Sequence, residues 1–148
     1  METLAKLFHN VLCPIDFDAN SPSALEYAGK AVQETGGRIF LLHVVPWTVA
    51  AVPLDASEVL AELKQSATTR LRQLAKEKLD ARIGHEIMVT VAADPGHEVV
   101  RLANELRADA IVMATHGRKG LSHMILGSVA ERVVREAPCP VLTLRAQT

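Results

Sequence analysis

Residues Ala114 to Ser128 read ATHGRKGLSHMILGS, and this stretch decides the fold. It follows the apolar run Ala110, Ile111, Val112, Met113 and opens into a helix-like run headed by Ser128. Gly117, Gly120 and Gly127 let the backbone turn tightly and approach an anion, and the first turn of the next helix offers unpaired N–H groups and the positive end of its dipole. Strand, glycine loop and helix in this order form a phosphate-binding layout.

Outward from this stretch, short apolar runs alternate with longer helical segments. Asn10 to Ile15 reads as a buried strand. Ser21 as N-cap and Pro22 at the first helical position begin a helix that runs to the Gly36-Gly37 stop. Arg38 to Val45 reads as a second strand and Pro46 to Ala56 as a loop. Leu60, Leu63, Ala67, Leu71 and Leu74 then mark one face of a long amphipathic helix ending before Gly84. His85 to Ala92 is a third strand, Pro95 starts a helix carrying Val99, Val100, Ala103 and Leu106, and Asp109 to Ala114 is the fourth strand. Ser128, with Glu131 three residues on, has the spacing of a capping box, and Pro138 and Pro140 separate that helix from a last strand, Val141 to Leu144. Continuous apolar strands joined by helices imply an α/β protein with a parallel sheet covered on both faces.

The chain of 148 residues fits one domain, 1–148, and its 49% hydrophobic but 3% aromatic composition means a core of Val, Leu, Ile and Ala. A net charge of −1 lacks the basic excess of a non-specific nucleic-acid binder, so no nucleic-acid partner is expected. No apolar run is long enough for a membrane span, and METLAKLFHN at the amino end has no signal-peptide pattern. Cys13 and Cys139 read as small buried or half-buried hydrophobes rather than a disulfide or metal pair, in keeping with a reducing, cytoplasmic setting. The six histidines show no metal-ligand spacing; His116 and His123 flank the glycine loop.

The loop resembles that of the universal stress protein family. The ATP-binding branch carries Gly, two residues, Gly, nine residues, then Gly with Ser or Thr. Gly117, the nine residues Arg118 to Leu126, Gly127 and Ser128 match in register, and Ala114 stands where the first glycine belongs. VLCPIDF ending near Asp16, IFLLHVV and APCPVLTLR extend the resemblance over nearly the whole chain.

The resemblance implies an open five-stranded parallel sheet of order 3-2-1-4-5, Rossmann-like and similar to the adenine nucleotide alpha hydrolases. Its direction reverses between strands one and four, and in such sheets ligands sit beyond the carboxyl ends of the strands at the reversal. Those ends are Pro14 to Asp16 and Met113 to Gly117. The expected nucleotide-binding residues are therefore Pro14, Asp16, Met113, Ala114, Gly117, Arg118, Gly127, Ser128 and Val129, with Asp16 on a ribose hydroxyl or a phosphate-bound metal. Ile39 is aligned with a position whose backbone meets adenine in nucleotide-bound relatives. The implied ligand is ATP, with Mg2+ arriving on the phosphates. The implied assembly is a homodimer through Val141 to Leu144, acting on an unidentified regulatory protein in a stress response.

Catalytic residues are not expected. The loop lacks the GKS or GKT ending of a Walker motif, and no triad, paired carboxylates or nucleophile elbow can be read from the spacing. Two other classes share the pattern: a slow ATPase or phosphotransfer enzyme, and a nucleotide-independent interaction protein of the same family, which the change to Ala114 keeps open.

Overall fold

The computed structural model describes residues 7–18, 21–48, 56–115 and 127–145. Its elements run β1 (Asn10–Pro14), α1 (Ser21–Thr35), β2 (Arg38–Pro46), α2 (Ser57–Lys78), β3 (Gly84–Ala92), α3 (Pro95–Glu105), β4 (Ala110–Ala114), α4 (Ser128–Glu136) and β5 (Val141–Leu144). The strands form one parallel sheet of order β3-β2-β1-β4-β5, as expected. Each strand boundary read from sequence falls within one residue of the observed one.

Both faces of the sheet are covered, which is why its inner strands are apolar on both faces, apart from Asn10, Arg38 and His43. Val11, Cys13, Ile39, Leu41 and Val112 point to one face and meet Ala24, Leu25, Ala28 and Val32 of α1 and Leu71 and Ala75 of α2. Leu12, Phe40, Leu42, Val44, Ile111 and Met113 point to the other and meet Val99, Leu102 and Ala103 of α3 and Ala130 and Val133 of α4. A fully buried Leu such as Leu25 or Leu41 contributes about 2 kcal/mol. Both cysteines are free; burial pushes the Cys13 thiol up to about 12 and also raises that of half-buried Cys139.

Three local readings are corrected. Ser21 is not the N-cap of α1 but its first helical residue. It is buried; its N–H donates to Asp18 Oδ1 at 3.2 Å and its hydroxyl to Asp16 Oδ1 at 2.8 Å, so nearby carboxylates take over the acceptor role. The capping box on α4 does not form: Gly127 is the N-cap, no side chain caps it, and Glu131 instead faces Arg135 at 3.5 Å. On α2, Leu63 is exposed while Ala67, Leu71 and Ala75 carry the burial.

The α1 stop is as expected, with Gly36 at φ 71° in the left-handed conformation that glycine adopts readily. A cap missed in the sequence is Asp94, whose Oδ1 accepts from His97 N at 3.1 Å with Pro95 at the start of α3. Among the described residues no helix is long and apolar enough to cross a membrane.

Candidate functional site

A cavity of about 230 Å3 lies at the carboxyl ends of β1, β2 and β4, between the starts of α3 and α4. It is the reversal point of the sheet, where β1 has β2 on one side and β4 on the other. Pockets that enclose a whole small ligand start at about 300 Å3, so this one is sized for part of a small ligand. Its floor and sides are largely apolar: Leu42 and Val44 from β2, Val99 from α3, Met113 and Ala114 from β4, and Val129 and Ala130 from α4. Asp16 and Ser21 supply polar groups on the β1 side.

Backbone geometry adds a second kind of polar group. Leu42 O accepts from Ile15 N at 2.7 Å, whereas Trp47 N donates to Ala92 O on the β3 side at 3.0 Å. With the two-residue period of a strand, even-numbered residues of β2 point their N–H and C=O toward β1 and odd-numbered residues toward β3. The β1–β2 register ends at Pro14 opposite Leu42. Val44 therefore directs its N–H and C=O past the end of β1, at the cavity its side chain lines. A donor and an acceptor side by side on an extended backbone, flanked by apolar surface, match one edge of a planar heterocycle.

Of the residues expected at the site, Pro14, Asp16, Met113, Ala114 and Val129 line the cavity together. Gly127 and Ser128 form the start of α4 beside it, Gly127 with φ −71° and ψ 168°, an extended conformation open to any residue. Gly117 and Arg118, like His116 and His123, lie outside the described residues. Ile39 is misplaced: it is fully buried near the amino end of β2, opposite Val11, and does not line the cavity. The β2 residues that do are Leu42, His43, Val44 and Pro46. Apart from Arg38 and His43, β2 is apolar, so hydropathy could not pick out the residue just past the end of β1; the inter-strand register does.

Asp16 sits in a hydrogen-bonded turn. Its Oδ1 accepts from Asp18 N at 3.0 Å and from the Ser21 hydroxyl at 2.8 Å. The next residue, Phe17, has φ 66°. His43 presents Nδ1 to Ile15 O at 2.7 Å on the same turn. Among the described residues no group of three or more His, Cys, Asp or Glu side chains could hold a metal ion.

The family model described as "Universal stress protein family" matches residues 7–145. The chain belongs to the universal stress protein family. Universal stress protein MJ0531 of Methanocaldococcus jannaschii is 32% identical over 145 residues, covering 94% of this chain and 83% of the relative. The solved structure of MJ0577, from the same organism, superposes with a TM-score of 0.82 at 26% identity, covering 96% of this chain and 99% of the other. The universal stress protein from Archaeoglobus fulgidus, solved in complex with dAMP, shares the fold with a TM-score of 0.66 at 21% identity over 93% of this chain and 98% of its own. The departure from the family's loop pattern, Ala114, continues β4 opposite Leu144 and is not at positive φ; among the described non-glycine residues only Phe17 and Arg107 are.

Proposed function

We propose that this universal stress protein binds an adenine nucleotide, ATP with Mg2+, in the cavity between β1 and β4, and that occupancy regulates a homodimer in a stress response. The observation that carries the reading is the Val44 backbone edge facing an apolar slot at the sheet's reversal point. The base lies in that slot, Asp16 faces the ribose, and the phosphates run toward the start of α4, where Gly127 leaves the first-turn N–H groups without a side-chain cap. Magnesium would be held by phosphate oxygens and water, and Asp16 is the one carboxylate among the described cavity residues that could face it. The dAMP complex of the Archaeoglobus fulgidus relative supports an adenine ligand for this fold.

The dimer forms through β5, an edge strand whose four residues are all half-buried in the single chain. Such an edge offers unpaired backbone groups to a second copy. The protein works in the cytoplasm on a protein partner, without nucleic acid. It is a binding module, with turnover far below the typical enzyme value of about 10 per second.

The decisive experiment is mass analysis of small molecules released when the purified protein is denatured, with calorimetry against MgATP. Near-stoichiometric adenine nucleotide, or a binding isotherm, is the expected result; indifference to millimolar MgATP overturns the reading. Light scattering tests the assembly, and a monomer at high micromolar concentration contradicts the dimer.

A further inference from the structure

Phe17 adopts φ 66°, a left-handed conformation that side chains rarely take and that an aromatic residue cannot offset with a local hydrogen bond of its own. Its ring is held on two sides. The Arg70 guanidinium carbon lies 3.9 Å from the ring centroid, and the His43 ring is 4.5 Å away, inclined at 42°. His43 is itself tied to this turn through Ile15 O. Arg70 belongs to α2 and is not among the cavity residues.

A cation over an aromatic face is attractive even with the cation exposed, as Arg70 is over half-buried Phe17. Strained backbone persists only where its surroundings over-determine it. Phe17 directly follows Asp16, so the conformation fixed by the stack also sets where the Asp16 carboxylate stands at the cavity mouth.

From this geometry we infer that Arg70 and Phe17 are positioning residues for the nucleotide: the guanidinium–phenyl stack locks the β1–α1 turn so that Asp16 is presented to the ribose hydroxyls. The inference rests on the adenine-nucleotide reading and adds to it a contribution from α2, a helix outside the cavity. Ribose recognition is then a property of the stack as well as of Asp16. Base recognition at Val44, on a different strand, is independent of it.

The test compares ATP with 2′,3′-dideoxy-ATP, both with Mg2+, on the wild type, Arg70→Met and Arg70→Lys, by calorimetry. The wild type is expected to prefer ATP. Arg70→Met, which keeps the aliphatic stem, should weaken ATP about fivefold while leaving the dideoxy analogue unchanged, and Arg70→Lys should recover part of the preference because it restores a cation over the ring. Arg70 is exposed, and an unchanged melting curve confirms that the variants fold. If the wild type prefers ATP and Arg70→Met leaves the preference intact, or weakens both ligands equally, the positioning role is overturned and the nucleotide reading stands. If the wild type binds neither compound, the nucleotide reading fails and the inference with it.

Discussion

The two ends of the sheet are built in opposite ways. At the amino end the backbone is closed on itself. Asn10 N donates to Asp109 Oδ2 at 2.7 Å, Asp109 N to Asn10 O at 2.8 Å, Arg38 N to His9 O at 2.7 Å, and the Thr35 hydroxyl to Phe8 O at 2.7 Å. Gly37 passes so near the preceding segment that an added Cβ would run into the Phe8 and His9 carbonyl oxygens and lie 2.7 Å from His9 Cα. At the carboxyl end the strands part, a cavity opens, the β2 edge at Val44 passes the end of β1, and Phe17 stands in a strained conformation. One end is closed on itself; the other is open, and it is there that the proposed function puts the ligand. Substitutions at the two ends should therefore separate stability from affinity.

The largest effect is expected from Gly37→Ala. The methyl group meets backbone rather than a yielding side chain, so the segment must shift, at a cost of about 3 kcal/mol. At ~3 °C per kcal/mol for a domain of this size, the melting temperature should fall by about 10 °C, with nucleotide affinity unchanged while the protein is folded. Thermal unfolding followed by circular dichroism checks this. A fall under about 2 °C would mean that the amino end is as pliant as the carboxyl end.

Next is Gly127→Val, which inverts the pattern. The Gly127 backbone is one that valine adopts without strain, so the stability cost should be that of a poorer N-cap, about 0.5–1 kcal/mol. The added side chain narrows the approach to the first turn of α4. The dissociation constant for MgATP should rise at least tenfold, about 1.4 kcal/mol, by calorimetry. Loss of stability without loss of affinity would place the phosphates elsewhere.

A smaller effect is expected on α3, the helix that walls the cavity. Glu98 has only 11% of its side chain exposed and is held by Arg101 in a two-point ion pair, at 2.7 and 2.9 Å. The Arg101 hydrogen bonds keep its carboxyl below the usual carboxylate range. A lowered folded-state pKa adds stability that is fully present above the unfolded value, about 4.3, and is lost as pH falls through the folded one. Half-exposed Arg101 is screened by solvent, so Glu98→Gln should cost about 0.5–1 kcal/mol at pH 7. The gap between the urea midpoints of the two proteins should be full at pH 7 and shrink as pH falls below the unfolded value; a constant gap would mean that the loss is one of packing.

How much of this was legible depends on what each feature needs. A parallel sheet covered on both faces followed from apolar runs alternating with helices; its strand order and reversal point followed from the resemblance to the family. Asp16 and Ala114 were legible as strand ends. Val44 was not, because its role depends on β1 ending opposite Leu42, a matter of register rather than of residue type. The Arg70–Phe17 contact joins residues 53 positions apart across two elements and leaves no local signal. Ser21 and Ser128 misled for a shared reason: a serine before a helix reads as a cap, but a nearby carboxylate or a preceding glycine can take over that position.

The smallest effect is expected at Ala114, where the chain departs from the family pattern and where the two ends of the comparison meet a strand that serves both. Ala114 is the last residue of β4, pairs with Leu144 and is among the residues that line the cavity, with its half-buried methyl group packed against the α1 and α2 side of the core. If the family glycine were there for a left-handed backbone, alanine would be strained, yet Ala114 is not among the residues at positive φ. What remains is the volume of one methyl group, packed on the α1 and α2 side of the strand. Ala114→Gly should thus change MgATP affinity by less than about threefold, ~0.7 kcal/mol. It should also lower stability slightly, by roughly 0.5–1 kcal/mol, since glycine loses more conformational freedom on entering a strand. Calorimetry and urea unfolding of one variant measure both. A hundredfold gain in affinity would show that the methyl group blocks the site in the natural chain, and would move this protein to the relatives that act without a nucleotide.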